Sequence, residues 1–387
     1  MPKEGELLDK EAKLKVLTDL IAINSVNGNE IKVAQYLASF LNSYGIETKI
    51  DRFAENKANL IAEFGKQRNN KVFCLAGHQD TVAVNDETKW QTNPFKARVV
   101  GDKIFGRGSA DMKSGLAAEV IALAELIETG WQPDGIVRFV ATAGEEFGAP
   151  GAYRLAKQGV LDDVDRMIVG EPTNGQIVYA HAGTINYQVK SYGRAVHSSF
   201  PESGINAING LVKYIDAENT LFNQDPGDET LGKVKHSITL VNGGSQINII
   251  PDYAELSGNI RPTPSFSNEQ IVDIIAEKIA QINQQTDYKL VFSVLHNFYP
   301  VKVNPQSKFV QQAEKIAAKH FSKAINLKVI NGATDASVFT QRNPQIQTII
   351  LGPAAWENAH QINEFTTISS FLATCGTYQE IIKAYFE

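Results

Sequence analysis

The chain has 387 residues, 43% of them hydrophobic and 21% charged, with a formal net charge of −6. That length accommodates two domains and a large core, and the negative balance argues against nucleic acid or an anionic membrane as a partner. No apolar run approaches the roughly 18 residues of a membrane span, and the start, Met1-Pro2-Lys3-Glu4-Gly5-Glu6, lacks the apolar core of a secretory signal.

Leu14, Leu17 and Ile21 mark a first amphipathic helix, and Val33, Leu37, Phe40 and Leu41 a second, joined by the turn-rich Asn24-Ser25-Val26-Asn27-Gly28-Asn29. Short apolar runs then alternate with helical patterns, the signature of an α/β domain. Strands are expected at Asn59–Phe64, Val72–Ala76, Ile136–Val140 and Met167–Val169. Of these, Val72–Ala76 is apolar throughout, as a strand covered on both faces should be. Cys74 lies within it, far in sequence from Cys375. Two buried free thiols in a cytoplasmic protein are the expectation.

Between Phe105 and Leu116 runs Gly106-Arg107-Gly108-Ser109-Ala110-Asp111-Met112-Lys113-Ser114-Gly115. It lacks both the Gly-Lys-Ser/Thr ending of a P-loop, because Met112 stands before Lys113-Ser114, and the dinucleotide G-x-G-x-x-G. From Ser114 the pattern is helical, with Leu116, Val120, Leu123 and Ile127 spaced for one buried face.

From Thr184 the pattern changes. A half-exposed strand (Ile185, Tyr187, Val189), a helix from Asn206 to Ile215, strands at Ser237–Val241 and Tyr253–Ile260, a helix opened by the capping box Ser267-Asn268-Glu269-Gln270, and a strand at Leu290–Val294 follow in turn. The order β-α-β-β-α-β is ferredoxin-like. A small α+β domain over residues 184–296 is therefore expected inside an α/β domain built from residues 1–183 and 297–387, the latter adding a buried strand at Gln347–Leu351.

Several strand ends deliver a histidine or a carboxylate. The Val72 strand leads to Gly77-His78-Gln79-Asp80, the Ile136 strand to Gly144-Glu145-Glu146, the Met167 strand to Gly170-Glu171-Pro172-Thr173, and the Gln347 strand, through Gly352-Pro353, to Ala359-His360-Gln361. Each alone is common on a protein surface, but in open α/β sheets the carboxyl edge is where ligands bind. His78 and Asp80, at i and i+2, point to one side of an extended chain, so Asp80 can hold one imidazole nitrogen while the other binds metal. Glu145 and Glu146, as neighbours, point opposite ways and divide the work of ligating metal and activating water. Imidazole and carboxylate without thiolate suit zinc, cobalt or manganese.

These motifs, with Trp90, Pro94-Phe95, Gly193-Arg194-Ala195-Val196-His197-Ser198, Asn248-Ile249-Ile250-Pro251 and Asn259-Ile260-Arg261-Pro262, resemble the co-catalytic zinc metallopeptidase family of succinyl-diaminopimelate desuccinylase, acetylornithine deacetylase, aminoacylase and glutamate carboxypeptidase. The resemblance runs nearly end to end. It implies two zinc ions, with cobalt or manganese as substitutes: His78 and Glu171 on one, Glu146 and His360 on the other, Asp111 bridging. It further implies Glu145 as general base and then acid, Asp80 as orienter of His78, and a cis peptide after Asp111. The inserted domain would be a lid and homodimerisation domain, with His197 and Asn248 reaching an active site and His197 stabilising the oxyanion. Arg261 would clamp a substrate carboxylate, and Asn331-Gly332-Ala333-Thr334-Asp335 resembles a substrate loop in which Thr334 binds.

Glu171 tilts the expectation toward removal of an acyl group from a small N-acylated amino acid with a free carboxylate. Desuccinylation in diaminopimelate and lysine biosynthesis comes first. Acetylornithine deacetylation, a general N-acyl-amino-acid deacylase or a small dipeptidase are alternatives, and a non-catalytic binding protein is the alternative of another class. Gly144, where many members have Asp, and Ala333, in place of a second Gly, are departures. His236, His296 and His320 match no motif.

Overall fold

The computed structural model describes residues 7–26, 28–66 and 69–387. The opening Met1–Glu6 stretch and Asn27 of the first loop lie outside the described residues. The chain divides into two compact units, one of residues 1–179, 303–328 and 334–387, the other of residues 180–302 and 329–333.

The first unit is built on a mixed sheet. In spatial order seven of its strands are Glu47–Arg52, Ala58–Lys66, Gly135–Thr142, Val72–His78, Arg166–Val169, Gln347–Ile350 and Ile177–His181. The four middle strands, from Gly135–Thr142 to Gln347–Ile350, are parallel. Their register sets His78 opposite Thr142, and Val169 opposite both Ala76 and Ile350, so all four end on the same edge. Val72–His78 is buried at all seven positions, as a strand covered by helices on both faces requires.

The helices Lys10–Ala22, Glu30–Asn42, Lys113–Glu128 and Ile368–Phe386 supply much of the core against this sheet. Helix Lys113–Glu128 departs from expectation: it is buried on every side from Lys113 to Leu126, not on one face. Small residues at Ala117, Ala118, Ala122 and Ala124 let neighbours approach all round. Its entry is tighter still, because a Cβ at Gly115 would stand 1.9 Å from the Gly170 carbonyl oxygen. Glycine there lets the helix start abut the strand end that precedes Glu171.

A three-stranded sheet that the sequence did not reveal joins Arg98–Val100, Lys103–Phe105 and Phe365–Thr367. It pairs Phe365 with Phe105 and Thr366 with Ile104, drawing the segment after His360 to the start of the Gly-rich loop.

The second unit carries four antiparallel strands in the order Lys235–Gly243, Tyr253–Arg261, Thr184–Tyr192, Lys289–Phe298. With helices Ala207–Leu221 and Asn268–Gln285 covering one face, this is the ferredoxin-like arrangement. The capping box at Ser267 is formed, Gln270 N donating to Ser267 Oγ and Ser267 N to Gln270 Oε1. Helix Ala207–Leu221 runs six residues beyond its expected end at Ile215. Cys74 and Cys375 are buried and free, and no helix among the described residues is long and apolar enough to cross a membrane.

Candidate metal centre

The strand ends at the carboxyl edge bring His78, Asp80, Glu145, Glu146 and Glu171 together with Asp111 and His360. His78 Nε2 lies 2.9 Å from Asp111 Oδ1 and 3.6 Å from Glu171 Oε1. On the other side of the same carboxylate, His360 Nε2 lies 3.2 Å from Asp111 Oδ2 and 2.8 Å from Glu146 Oε1. Asp111 thus faces two imidazoles with its two oxygens, and each imidazole has a carboxylate of its own. His78, Asp111 and Glu146 offer donor atoms that all lie within 4.8 Å of one another. His78 and Glu171 are buried, whereas His360 is exposed and sits at a left-handed φ of 60°.

The peptide Asp111–Met112 is cis. Asp80 is fully buried and does more than face His78. Its Oδ1 accepts from Gly144 N at 2.8 Å and Glu145 N at 3.1 Å, and its Oδ2 accepts from Glu146 N at 3.1 Å. With the carboxylate so occupied, His78 Nδ1 lies nearer the Asp80 carbonyl oxygen, at 3.0 Å, than the carboxylate Oδ1, at 3.6 Å. Glu145 and Glu146 are not on an extended segment. They lie in a 3₁₀ turn, Glu145–Phe147, entered through Gly144 at φ 82°. Glycine at 144 supplies the left-handed backbone, and Asp80 satisfies the three N–H groups at the start of the turn.

Two residues that no metal-type spacing in the sequence marks hold this arrangement from behind. Glu364 Oε1 accepts from Ala110 N at 2.7 Å and Asp111 N at 3.0 Å, while its Oε2 meets Arg107 Nη1 at 2.5 Å. Arg107 also donates to the carbonyls of Ala83 and Gln361 and lies over the Trp90 ring. Glu364 therefore ties the backbone of Asp111 to the segment that carries His360. Asp335 is also buried, its Oδ2 accepting from Thr142 Oγ1 at 2.5 Å. Burial pushes its carboxyl up to about 6. Thr334 beside it is buried, its Oγ1 accepting from Ala336 N at 3.2 Å.

The other expected residues belong to the second unit. His197 and Asn248 are exposed neighbours: His197 pairs with Ile249, and Ser198 N donates to Asn248 O. Arg261 Nη1 donates to Thr184 Oγ1 at 2.5 Å, and no carboxylate pairs with it among the described residues. The unmatched histidines have protein partners: His236 meets Glu218, His296 meets Asn186 and His320 meets Glu380.

The donor set fits divalent cations. Burial raises the carboxyls of Glu145, Glu146 and Glu171, with neighbouring carboxylates adding to the rise. Burial opposes charge on His78, yet Glu171, Asp111 and Asp80 push its imidazole well above the ordinary value. Hydrogen bonds to Asp111 and Glu146 raise His360 to about 10. Imidazoles drawn toward protonation by crowded carboxylates mark a site short of positive charge, and metal ions supply it.

A mixed sheet whose carboxyl edge gathers imidazoles and carboxylates around one aspartate is a framework suited to a metal-dependent hydrolase. The model of peptidase family M20/M25/M40 matches residues 74–384, and the chain belongs to this family. It is a hydrolase of amide bonds. A probable succinyl-diaminopimelate desuccinylase of Staphylococcus aureus (strain MRSA252) is 33% identical, the match covering 98% of both chains. Among solved structures, the M20 family metallo-carboxypeptidase Sso-CP2 of Sulfolobus solfataricus superposes with a TM-score of 0.81 at 18% identity, over 98% of this chain and all of that one. YXEP of Bacillus subtilis, described as a dinuclear metal binding peptidase of the M20 family, gives 0.73 at 18% identity, over 97% of this chain and 98% of that one.

Proposed function

We propose that the chain is a two-metal amide hydrolase that removes the succinyl group from N-succinyl-diaminopimelate. The observation that carries the metal chemistry is Asp111, set between His78 with Glu171 and His360 with Glu146. The substrate reading is supported by the full-length likeness to the probable desuccinylase.

In this reading His78, Glu171, Glu146, His360 and Asp111 would together hold two zinc ions. Bound there, the ions would supply Lewis acidity toward a water and the scissile carbonyl. Glu145, whose backbone is fixed by Asp80, takes the proton of the attacking water on its carboxylate and hands it to the leaving amine nitrogen. The Glu364–Arg107 pair keeps Asp111 in place. Arg261, a half-buried guanidinium with no carboxylate partner among the described residues, holds a substrate carboxylate through its planar fork. Thr334 and Asn248 contact substrate and His197 donates to the oxyanion.

Comparison of kcat/KM on N-succinyl-diaminopimelate, N-acetylornithine and simple N-acyl amino acids tests the substrate. A preference of several orders of magnitude for the succinyl compound is expected. Comparable slow rates on all three would move the reading to the alternative deacylase or dipeptidase activity.

The second unit is proposed as a lid and dimerisation domain. Its edge strand Lys235–Gly243 leaves Leu240 61% and Val241 55% exposed, and the helix Ala207–Leu221 adds exposed Ile208 and Val212. An apolar, unpaired edge is a template for a second copy. Sedimentation should find a dimer in the wild type and a monomer in Leu240→Asp/Val241→Asp. With His197 acting on the partner's site, the monomer should lose about 10²–10³-fold in kcat, the range for one oxyanion donor. A fully active monomer would remove that role.

A further inference from the structure

At the amino-terminal ends of the parallel strands, on the edge of the sheet opposite the metal centre, lies a cavity of about 220 Å³. Lys71, Arg166 and Lys308 line it, with Phe309, Gln312 and Tyr385. The three cations come from three different elements: the lead-in to the Val72 strand, the first residue of the Arg166–Val169 strand and the first turn of the helix Lys308–His320. No carboxylate is among the lining residues. The Asp165 carboxylate close by is engaged by Val72 N and the Tyr385 hydroxyl, each at 2.9 Å.

Arg166 is the most informative member. In the same unit Arg107, Arg138, Arg154 and Arg342 each hold a carboxylate, and Arg52 and Arg98, which pair with none among the described residues, are exposed. Arg166 is half-buried and pairs with none among the described residues, donating only to the Asp165 carbonyl. Its guanidinium lies 5.9 Å from the ring centroids of both Phe309 and Tyr385. Lys71 Nζ bonds backbone carbonyls at Tyr385 and Phe386 and lies 5.6 Å from the Tyr385 ring. Contact with ring faces orients a guanidinium while leaving its edge N–H groups available, and that planar edge matches carboxylate and phosphate oxygens two at a time. Three like charges held around one hollow repel each other unless an anion joins them.

We propose that this cavity binds a compact dianion, a dicarboxylate or a phosphate-bearing metabolite, with Arg166 forking one anionic group and Lys71 and Lys308 neutralising the charge. The hollow is smaller than the roughly 300–1,000 Å³ of a typical drug-sized pocket, which keeps the ligand small. The seven-residue strand Val72–His78 separates it from the metal centre by about 20 Å at the rise of a β-strand, so the bound anion is an effector and not a substrate.

The test is calorimetric titration of the metal-loaded protein with inorganic phosphate and, separately, with succinate. The metal centre can take either anion, so the diagnostic is the binding component that depends on Arg166. Arg166→Gln should weaken that component at least ten-fold and Lys308→Gln several-fold, with kcat/KM in anion-free buffer unchanged. Lys308 is exposed and forms no ion pair among the described residues, so its variant keeps the test valid if Arg166→Gln melts early. Loss with phosphate alone identifies a phosphate ligand, loss with succinate alone a dicarboxylate, and loss with both a general dianion site. Isotherms of the variants that match the wild type with both anions would overturn the proposal.

Discussion

Glu145→Gln is expected to lower kcat by about 10²–10⁴-fold, the range for a lost general base, with the metal content unchanged. The geometry separates this residue from the proposed ligands. The imidazoles of His78 and His360 are met by Asp111, Glu171 and Glu146, and the Glu145 carboxylate enters none of those pairs. Its backbone N–H is held by Asp80 Oδ1, so glutamine keeps the turn and the side-chain volume but can no longer shuttle a proton. Steady-state kinetics beside metal analysis of the same sample checks it. Turnover within a few-fold of wild type would remove Glu145 from the mechanism.

Glu364→Gln is the second large effect. Arg107 and Glu364 are each 1% exposed and form a buried ion pair. Removing the negative partner strands the guanidinium, a change that typically costs about 3–5 kcal/mol of stability. The same substitution loosens the two hydrogen bonds that hold Ala110 N and Asp111 N. Loss of a residue that orients a metal ligand typically weakens metal binding about 10–100-fold. Denaturant unfolding should therefore report a loss of that size, and zinc titration of the variant at a temperature where it is folded should report the weaker affinity. Wild-type values in both would mean that Glu364 neither supports the fold nor positions Asp111.

What was legible in the sequence follows from the parallel sheet. A buried parallel strand reads as an apolar run, so Val72–Ala76 and Met167–Val169, and Ile136–Val140 despite Arg138, stood out, and the polar residues just beyond them fell on one edge. The inserted unit was legible through alternation in Tyr187 and Val189 and through the Ser267 capping box. Geometry after a strand end was harder. Glu145 and Glu146 read as extended neighbours, but Gly144 and three N–H bonds to Asp80 curl them into a 3₁₀ turn.

Long-range partners were not legible. Arg107 and Glu364 are 257 positions apart, and they meet only because the short sheet of Lys103–Phe105 and Phe365–Thr367 brings their segments together. Each of those strands is three residues long, too short for alternation to register. Asp335 was quoted within a loop, but its approach to Thr142 depends on a fold that spans 193 positions. The burial of helix Lys113–Glu128 on every side was hidden because alanine reads as neutral in an amphipathic pattern.

The central claim is that Asp111 joins two metal positions. Its most direct test is metal per chain, measured by atomic emission after dialysis against trace zinc, in the wild type and in Asp111→Asn. The account predicts two equivalents in the wild type and at most one in the variant. A single equivalent in the wild type, retained in full by Asp111→Asn, would contradict it.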